Sequence, residues 1–172
     1  CDLPPVVDES TPLRASGLYG LAKVEGERET LAAASGGMET SVLRMASMYA
    51  PSWLFNVRKR VAPPVVGRWI HFALDATTPR YSLCSRNLGV EAVARLVDGR
   101  LPPTTYNVAD SHIYSQDEIR RAISRVEGAR PVLPIPSAAP RMALRILDAV
   151  LPAGPRRDRS RSRYWKFCER NV

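Results

Sequence analysis

The spacing of apolar positions predicts an alternation of helices and short strands. Between about Ser16 or Gly17 and Ala34, residues Leu18, Leu21, Ala22, Glu25 and Leu31 are compatible with a helix having one packed stripe and one polar face. Ser16 is placed to cap it and Gly36-Gly37 to stop it. A β-branched run, Glu39 to Arg44, then reads as a strand entering a buried sheet. Pro51 to Val61 reads as a helix, and Pro63-Pro64 breaks the chain. Arg68 to Leu74, Arg80 to Ser85 and Thr104 to Ala109 read as strands. Between the last two lies a helix capped by Asn87, with Leu88, Ala92, Val93 and Leu96 as its stripe and Gly99 as its end. Ser115 and Glu118 form a capping box ahead of Ile119, Ala122, Ile123 and Val126, the most regular helical spacing in the chain. A last helix runs from roughly Ala138 to Leu151 and is ended by Pro152 and Gly154. No internal repeat is visible. Helix, glycine stop and β-branched run together are the rhythm of an α/β fold.

Composition narrows the setting. The chain has 172 residues, 45% of them hydrophobic, enough for one packed domain. No apolar run approaches the roughly 18 residues of a membrane span. The first residues, Cys1-Asp2-Leu3-Pro4-Pro5, lack the basic start and apolar stretch of a signal peptide. Cys1, Cys84 and Cys168 are odd in number and widely spaced, which fits neither a disulfide framework nor a metal pattern and favours a reducing, cytoplasmic setting. The net charge is +8, and all but Lys23, Lys59 and Lys166 of the 25 basic side chains are arginine. That balance favours an anionic partner, although arginine use also follows genome base composition.

The candidate chemistry lies in "YGLAKVEGE", Tyr19 to Glu27. Residues four apart share a helix face, so Tyr19 and Lys23 project together. A phenol with its ordinary pKa of about 10 is too weakly acidic to serve as a base at neutral pH. A neighbouring ammonium favours phenolate and brings the hydroxyl within reach of general acid/base work. The lysine retains donors for a diol. The same spacing also occurs on ordinary surface helices.

Context carries the reading further. Asp8-Glu9, Pro12, Tyr19-Gly20-Leu21-Ala22-Lys23 and a glutamate soon after, Glu25 or Glu27, resemble the segment around the active-site tyrosine of the extended short-chain dehydrogenase/reductase family. These are the NAD-dependent epimerases and dehydratases, UDP-glucose 4-epimerase among them. Val42 to Pro51 resembles that family's Leu-Arg-Pro-x-Asn-x-Tyr-Gly-Pro stretch: Arg44, Tyr49 and Pro51 match, while Met45, Ser47 and Ala50 replace Pro, Asn and Gly. Arg80 to Val97 resembles the family's Arg-Asp-x-x-x-Val-x-Asp segment and its helix, with Arg86-Asn87 where acidic residues are usual. Tyr106 to Ile119 resembles its Tyr-Asn-Val-Gly and capped helix. The resemblance covers most of residues 6 to 128, in order.

The resemblance implies an α/β fold: the C-terminal part of a Rossmann-type parallel sheet plus a small α/β substrate-binding domain. It places the first in residues 1–53 and the second mainly in 54–172, with a return to the Rossmann sheet near 80–110. It implies Tyr19 as general acid/base and Lys23 as its helper, both beside the NAD or NADP ribose, with Ala46 also at the cofactor. Ser47 and Arg80 fall at substrate-contacting positions, Arg80 toward a diphosphate. The implied substrate is a sugar nucleotide or another small carbonyl or hydroxyl compound, turned over by an epimerase, a dehydratase or a reductase, in a homodimer and away from membranes. The glycine-rich fingerprint that cradles a pyrophosphate is absent from the ten glycines. The family's serine or threonine partner falls before Cys1, and neither Ser10 nor Ser16 sits in its motif. The expectation is therefore a fragment cut at both ends, without turnover or tight NAD binding of its own.

Rival readings are a basic nucleic-acid-binding α/β module, resting on the arginines between Arg156 and Lys166, and a non-catalytic scaffold relative of the family. No recognised nucleic-acid motif supports the first. His71 and His112 read as structural histidines and Cys84 as a small buried hydrophobe. Trp53, Trp69 and Trp165 are too scattered for a stacking platform.

Overall fold

Parallel strand pairing carries the architecture. The computed structural model describes residues 7–13, 15, 17–62, 70–74, 79–136, 138–150 and 154. Along the chain these form α1 (Gly17–Ser35), β1 (Val42–Met45), β2 (Ser47–Tyr49), α2 (Phe55–Arg58), β3 (His71–Leu74), β4 (Arg80–Ser85), α3 (Arg86–Val97), β5 (Thr105–Val108), β6 (Ile113–Ser115), α4 (Gln116–Glu127), β7 (Val132–Ile135) and α5 (Ala138–Val150).

β1 and β2 are two stretches of one extended run separated by Ala46. β5 lies parallel to β1, with Val42 opposite Thr105 and Met45 opposite Val108. The Ala46 N–H prolongs that ladder by donating to the Val108 carbonyl at 2.9 Å. β4 lies parallel to β2, with Ser47 opposite Leu83 and Tyr49 opposite Ser85. One run thus pairs first with β5 and then with β4, and the Asp110 N–H ties the exit of β5 to the Leu83 carbonyl at 2.7 Å. β6 is antiparallel to β4, and β3 pairs in parallel with β7. Long connections containing helices are what parallel neighbours require.

The core lies on one side of β4. Val57, Val61, Ala62, Tyr81, Leu83, Ile119 and Ile123 form its buried cluster, with Tyr49, Leu54 and Tyr114 packed against it. Alternation along β4 sends Tyr81 and Leu83 inward together, while Ile119 and Ile123, four apart on α4, meet them from the helix side. On the other side Gly89 of α3 admits the methionines of the long run: a Cβ there would lie 3.3 Å from Met48 Cε and 3.5 Å from Met45 Sδ. α1 stops at Gly36-Gly37 as expected, and Gly37 takes φ +91°, a conformation that favours glycine.

Several expectations change. The α1 stripe does not pack: Leu18, Leu21 and Leu31 are all exposed. α3 is capped by Ser85, not Asn87. Ser85 is extended, at φ −65° and ψ 145°, and its hydroxyl accepts the Leu88 N–H, which draws Asn87 into the first turn. Val93 and Val126 lie exposed on their helices, and so does Ala122. The helix expected over Pro51 to Val61 shrinks to α2, followed by turns through Ala62. Two strands are hidden by local signals. β6 is three residues long and runs straight into the capping box, and β7 contains Pro134, which only an edge strand tolerates. The Ser115–Glu118 capping box forms as expected, with both reciprocal hydrogen bonds. Ser16, Pro63-Pro64, Arg68, Trp69, Pro152, Trp165, Cys1, Cys168 and the basic stretch from Arg156 to Lys166 lie outside the described residues.

Candidate functional site

Helix α1 presents Tyr19, Lys23 and Glu27 at intervals of four residues, so the three share one face. Its far end is tied to the sheet. Arg44 of β1 donates through Nε and Nη2 to Glu27 Oε1, at 3.1 and 2.6 Å, with both side chains largely shielded from solvent. Of the two glutamates offered by the sequence, Glu27 makes this anchor, while Glu25 pairs with Arg28 on the surface. Arg44 also donates to the Glu9 carbonyl at 2.9 Å, and the Glu9 carboxylate accepts the Asn107 N–H of β5 at 2.7 Å. That N–H holds the Glu9 carboxyl below its ordinary range. The expected Asp8-Glu9 pair thus has two jobs. Asp8 closes a local turn by accepting from the Ser10 and Thr11 hydroxyls, and Glu9 fastens the chain to β5.

On the face fixed in this way, Lys23 Nζ lies 5.7 Å from the Tyr19 ring centroid. Tyr19 is 79% exposed and Lys23 is also open to solvent. The two groups are neighbours, as the spacing demands, and both are accessible to a ligand.

A second polar assembly gathers at the carboxyl ends of the parallel strands, where open α/β sheets bind their ligands. Asp110, just past β5, accepts from the Tyr49 hydroxyl at 2.8 Å and the Tyr114 hydroxyl at 2.9 Å through Oδ2. Its Oδ1 accepts the Ser85 N–H at 2.9 Å. One carboxylate therefore joins the ends of β2 and β4 to β6. Burial, then the hydrogen bonds to Tyr114 and Asp110, push the Tyr49 phenol far above its ordinary value. Tyr49 stays protonated at neutral pH and is a donor in this network, not a base.

The other expected residues sit nearby, but not all together. Ala46 lies at the junction of β1 and β2. Ser47 opens β2, and its Oγ accepts a hydrogen bond from Arg60 Nη2 at 2.7 Å. Arg80 is exposed at the start of β4, opposite Ser115. Arg80 lies three positions before Leu83, the residue paired with Ser47, which is roughly 10 Å along a strand. Ser47 and Arg80 therefore stand at different heights along the sheet.

Two residues of this region carry no sequence signal strong enough to find them. Asp110 is one of several polar residues after a strand, and only its place at a carboxyl end hints at a role. Arg60, within "VRKRV", reads as a surface charge, yet it is 1% exposed and its guanidinium stands 5.0 Å from the Tyr81 ring centroid.

The remaining candidates are structural. Cys84 is buried and unpaired, as expected, and burial raises its thiol pKa. His71 is 1% exposed and, among the described residues, finds no hydrogen-bond partner at either ring nitrogen. His112 Nε2 lies 3.1 Å from Glu118 Oε1. Among the described residues no group of three or more His, Cys, Asp or Glu could hold a metal ion, and no helix is long and apolar enough to cross a membrane.

The sequence matches no protein-family model and no curated protein. The fold does find counterparts among solved structures. UDP-glucose 4-epimerase from Thermus thermophilus, in complex with NAD, is similar with a TM-score of 0.56 at 19% identity over 78% of this chain and 47% of that one. UDP-glucuronic acid 4-epimerase from Bacillus cereus, also with NAD, gives 0.61 at 13% identity over 77% and 46%. dTDP-glucose 4,6-dehydratase from Bacillus anthracis, with NAD, gives 0.56 at 14% identity over 78% and 45%. The chain shares the Rossmann-like α/β fold of these structures and spans about half their length.

Proposed function

We propose that this chain contributes the tyrosine–lysine half of the active site of an NAD(P)-dependent nucleotide-sugar epimerase or dehydratase, or of a related reductase. The observation that carries the reading is the shared face of α1. Tyr19 and Lys23 stand together on it, and its far end is locked through Glu27 and Arg44 onto the strand that leads to Ala46 and Ser47. Residues 1–53 then belong to the dinucleotide-binding side and 54–172 mainly to the substrate side, with a return to the dinucleotide-binding sheet near 80–110.

In this reading Tyr19 Oη removes or returns a proton at a substrate hydroxyl. The Lys23 ammonium favours the phenolate that must form and has donors left for a ribose diol. When bound, the nicotinamide supplies a hydride acceptor and donor. Ser47 touches the substrate, and Arg80 offers a bidentate fork to phosphate. Tyr19 and Lys23 fit the ribose end of such a cofactor. The glycine-rich turn that would receive its pyrophosphate is not among these 172 residues. The activity therefore belongs to a polypeptide that also supplies that cradle.

The test measures interconversion of UDP-glucose and UDP-galactose, and loss of water from UDP-glucose to give a keto product, by the native polypeptide that carries these residues. Tyr19→Phe is expected to lower kcat by about 100-fold or more, as loss of a general acid/base does. An unchanged kcat removes the dyad. NAD titrated into the 172-residue chain is expected to show no micromolar affinity, and micromolar binding refutes the division of the site described here.

A further inference from the structure

Arg60 has no part in the dyad chemistry, and its surroundings ask for a reason. It leaves the turn after α2 and enters the core with 1% exposure. Its backbone is occupied with structure: the carbonyl accepts Gln116 Nε2 at 2.8 Å, and the N–H donates to the Val57 carbonyl at 2.9 Å. Its side chain does something else. The guanidinium lies 5.0 Å from the Tyr81 ring centroid and delivers Nη2 to Ser47 Oγ at 2.7 Å. Taking a guanidinium out of water is costly, and burial correspondingly weakens its hold on the proton. A donor brought to that place at that cost acts on whatever it touches.

We infer that Arg60 is a positioning residue: it fixes Ser47 so that the serine presents its hydroxyl proton, and therefore recognises an oxygen acceptor of the ligand. The inference rests on the reading of Ser47 as a substrate-facing residue. A serine hydroxyl has one proton and two lone pairs and rotates freely. With a lone pair engaged by a charged donor, the rotor stops and the O–H is left to donate. The charged donor also polarises that O–H, since hydrogen bonds in series strengthen one another. Tyr81, buried in the ladder of β4, holds the guanidinium in place. Ser47 and Tyr49 alternate with Met48 along β2, so both face the side where Arg60 and Asp110 lie, while Met48 packs toward Gly89. The ligand group that fits is a sugar or phosphoryl oxygen.

The test is a double-mutant cycle on the native polypeptide that carries these residues, titrated by NMR with UDP-glucose and separately with UDP. Ser47→Ala and Arg60→Met are each expected to weaken UDP-glucose binding by about 5- to 10-fold, the usual reach of one hydrogen bond. The double variant is expected to be no weaker than either single, and Arg60→Lys to restore part of the loss. Equal losses with UDP identify a phosphoryl oxygen, and losses with UDP-glucose alone identify a sugar oxygen; both support the inference. Should Arg60→Met not fold, Arg60→Gln and Arg60→Lys carry the cycle, with the Ser47 χ1 couplings as a second readout. Independent, additive losses overturn the positioning role and leave the ligand reading of Ser47 standing, and so does an Arg60 variant that binds like the wild type while Ser47→Ala is weakened. A folded wild type that does not bind UDP-glucose overturns both.

Discussion

The two ends of the proposed site are held by opposite kinds of force. Around β4, the side chains of Val61, Tyr81, Ile119 and Ile123 are removed from water almost completely. Around α1, the apolar residues Leu18, Leu21 and Leu31 stay exposed, and the helix is attached through Arg44, Glu27 and Glu9. The contrast teaches that helix amphipathicity and helix docking are separate matters. α4 docks because Ile119 and Ile123 find Tyr81 and Leu83 across the interface. α1 is oriented by a fork of charge-assisted hydrogen bonds, which specify direction well and contribute less stability than burial.

The comparison predicts unequal responses to truncation. Ile123→Ala is expected to cost about 2–5 kcal/mol in urea unfolding, whereas Leu21→Ala on α1 stays within about 0.5 kcal/mol. Equal costs would show that α1 is packed as the core is. Glu27→Gln is expected to cost about 1–3 kcal/mol, because Arg44 loses its charged partner in a partly buried place. That loss should appear as faster amide exchange in α1 while the α4 amides keep their protection. Uniform acceleration would mean that both regions open as one unit. Ser115→Ala removes the α4 cap and is expected to cost about 1 kcal/mol. Glu118, brought down to about 2 by the Ser115 N–H and hydroxyl and by His112, reports on the same cap.

The gentlest probe is pH, because it does nothing near neutrality. His71 is buried, and burial first, then the charges of Arg130, Arg120 and Arg58 against the opposing Glu127, hold its folded-state pKa below the ordinary 6.5. Between that value and 6.5 the unfolded chain binds the extra proton, so stability is full above pH 6.5 and falls as the solution is acidified. Glu118 contributes in the same direction further down, its share being lost between about 4.5 and 2. His71→Leu is expected to flatten the first part of the profile. A wild-type curve level from about pH 7 to 5 would show that the imidazole is protonated in place.

Much of this was legible in the chain. The α1, β4, α3 and α4 segments follow from period, glycine stops and a capping box, because those signals act within a few residues. The Tyr19–Lys23 face follows from helix geometry alone, whereas the pairing of Arg44 with Glu27, 17 residues apart, carries no local signal. β6 and β7 were not legible: one is three residues long, and the other carries a proline that reads as a breaker until its edge position is known. The exposure of the α1 stripe was not legible, because periodicity says which residues share a face and not what covers it.

The sequence by itself determined the local elements, the i, i+4 placement of the candidate dyad, and the order of segments that resembles the epimerase and dehydratase family. Only the tertiary structure decided which run pairs with which: that β1 and β2, two stretches of one extended run, pair with β5 and β4 in turn, that Asp110 gathers Tyr49, Tyr114 and Ser85, and that Arg60 lies inside against Ser47. The physical reason is range. Caps, turns and helix faces are set by interactions across three or four residues. The fate of an arginine in "VRKRV" depends on a ring and a hydroxyl that lie 21 residues downstream and 13 residues upstream of it, brought together only when the strands pair.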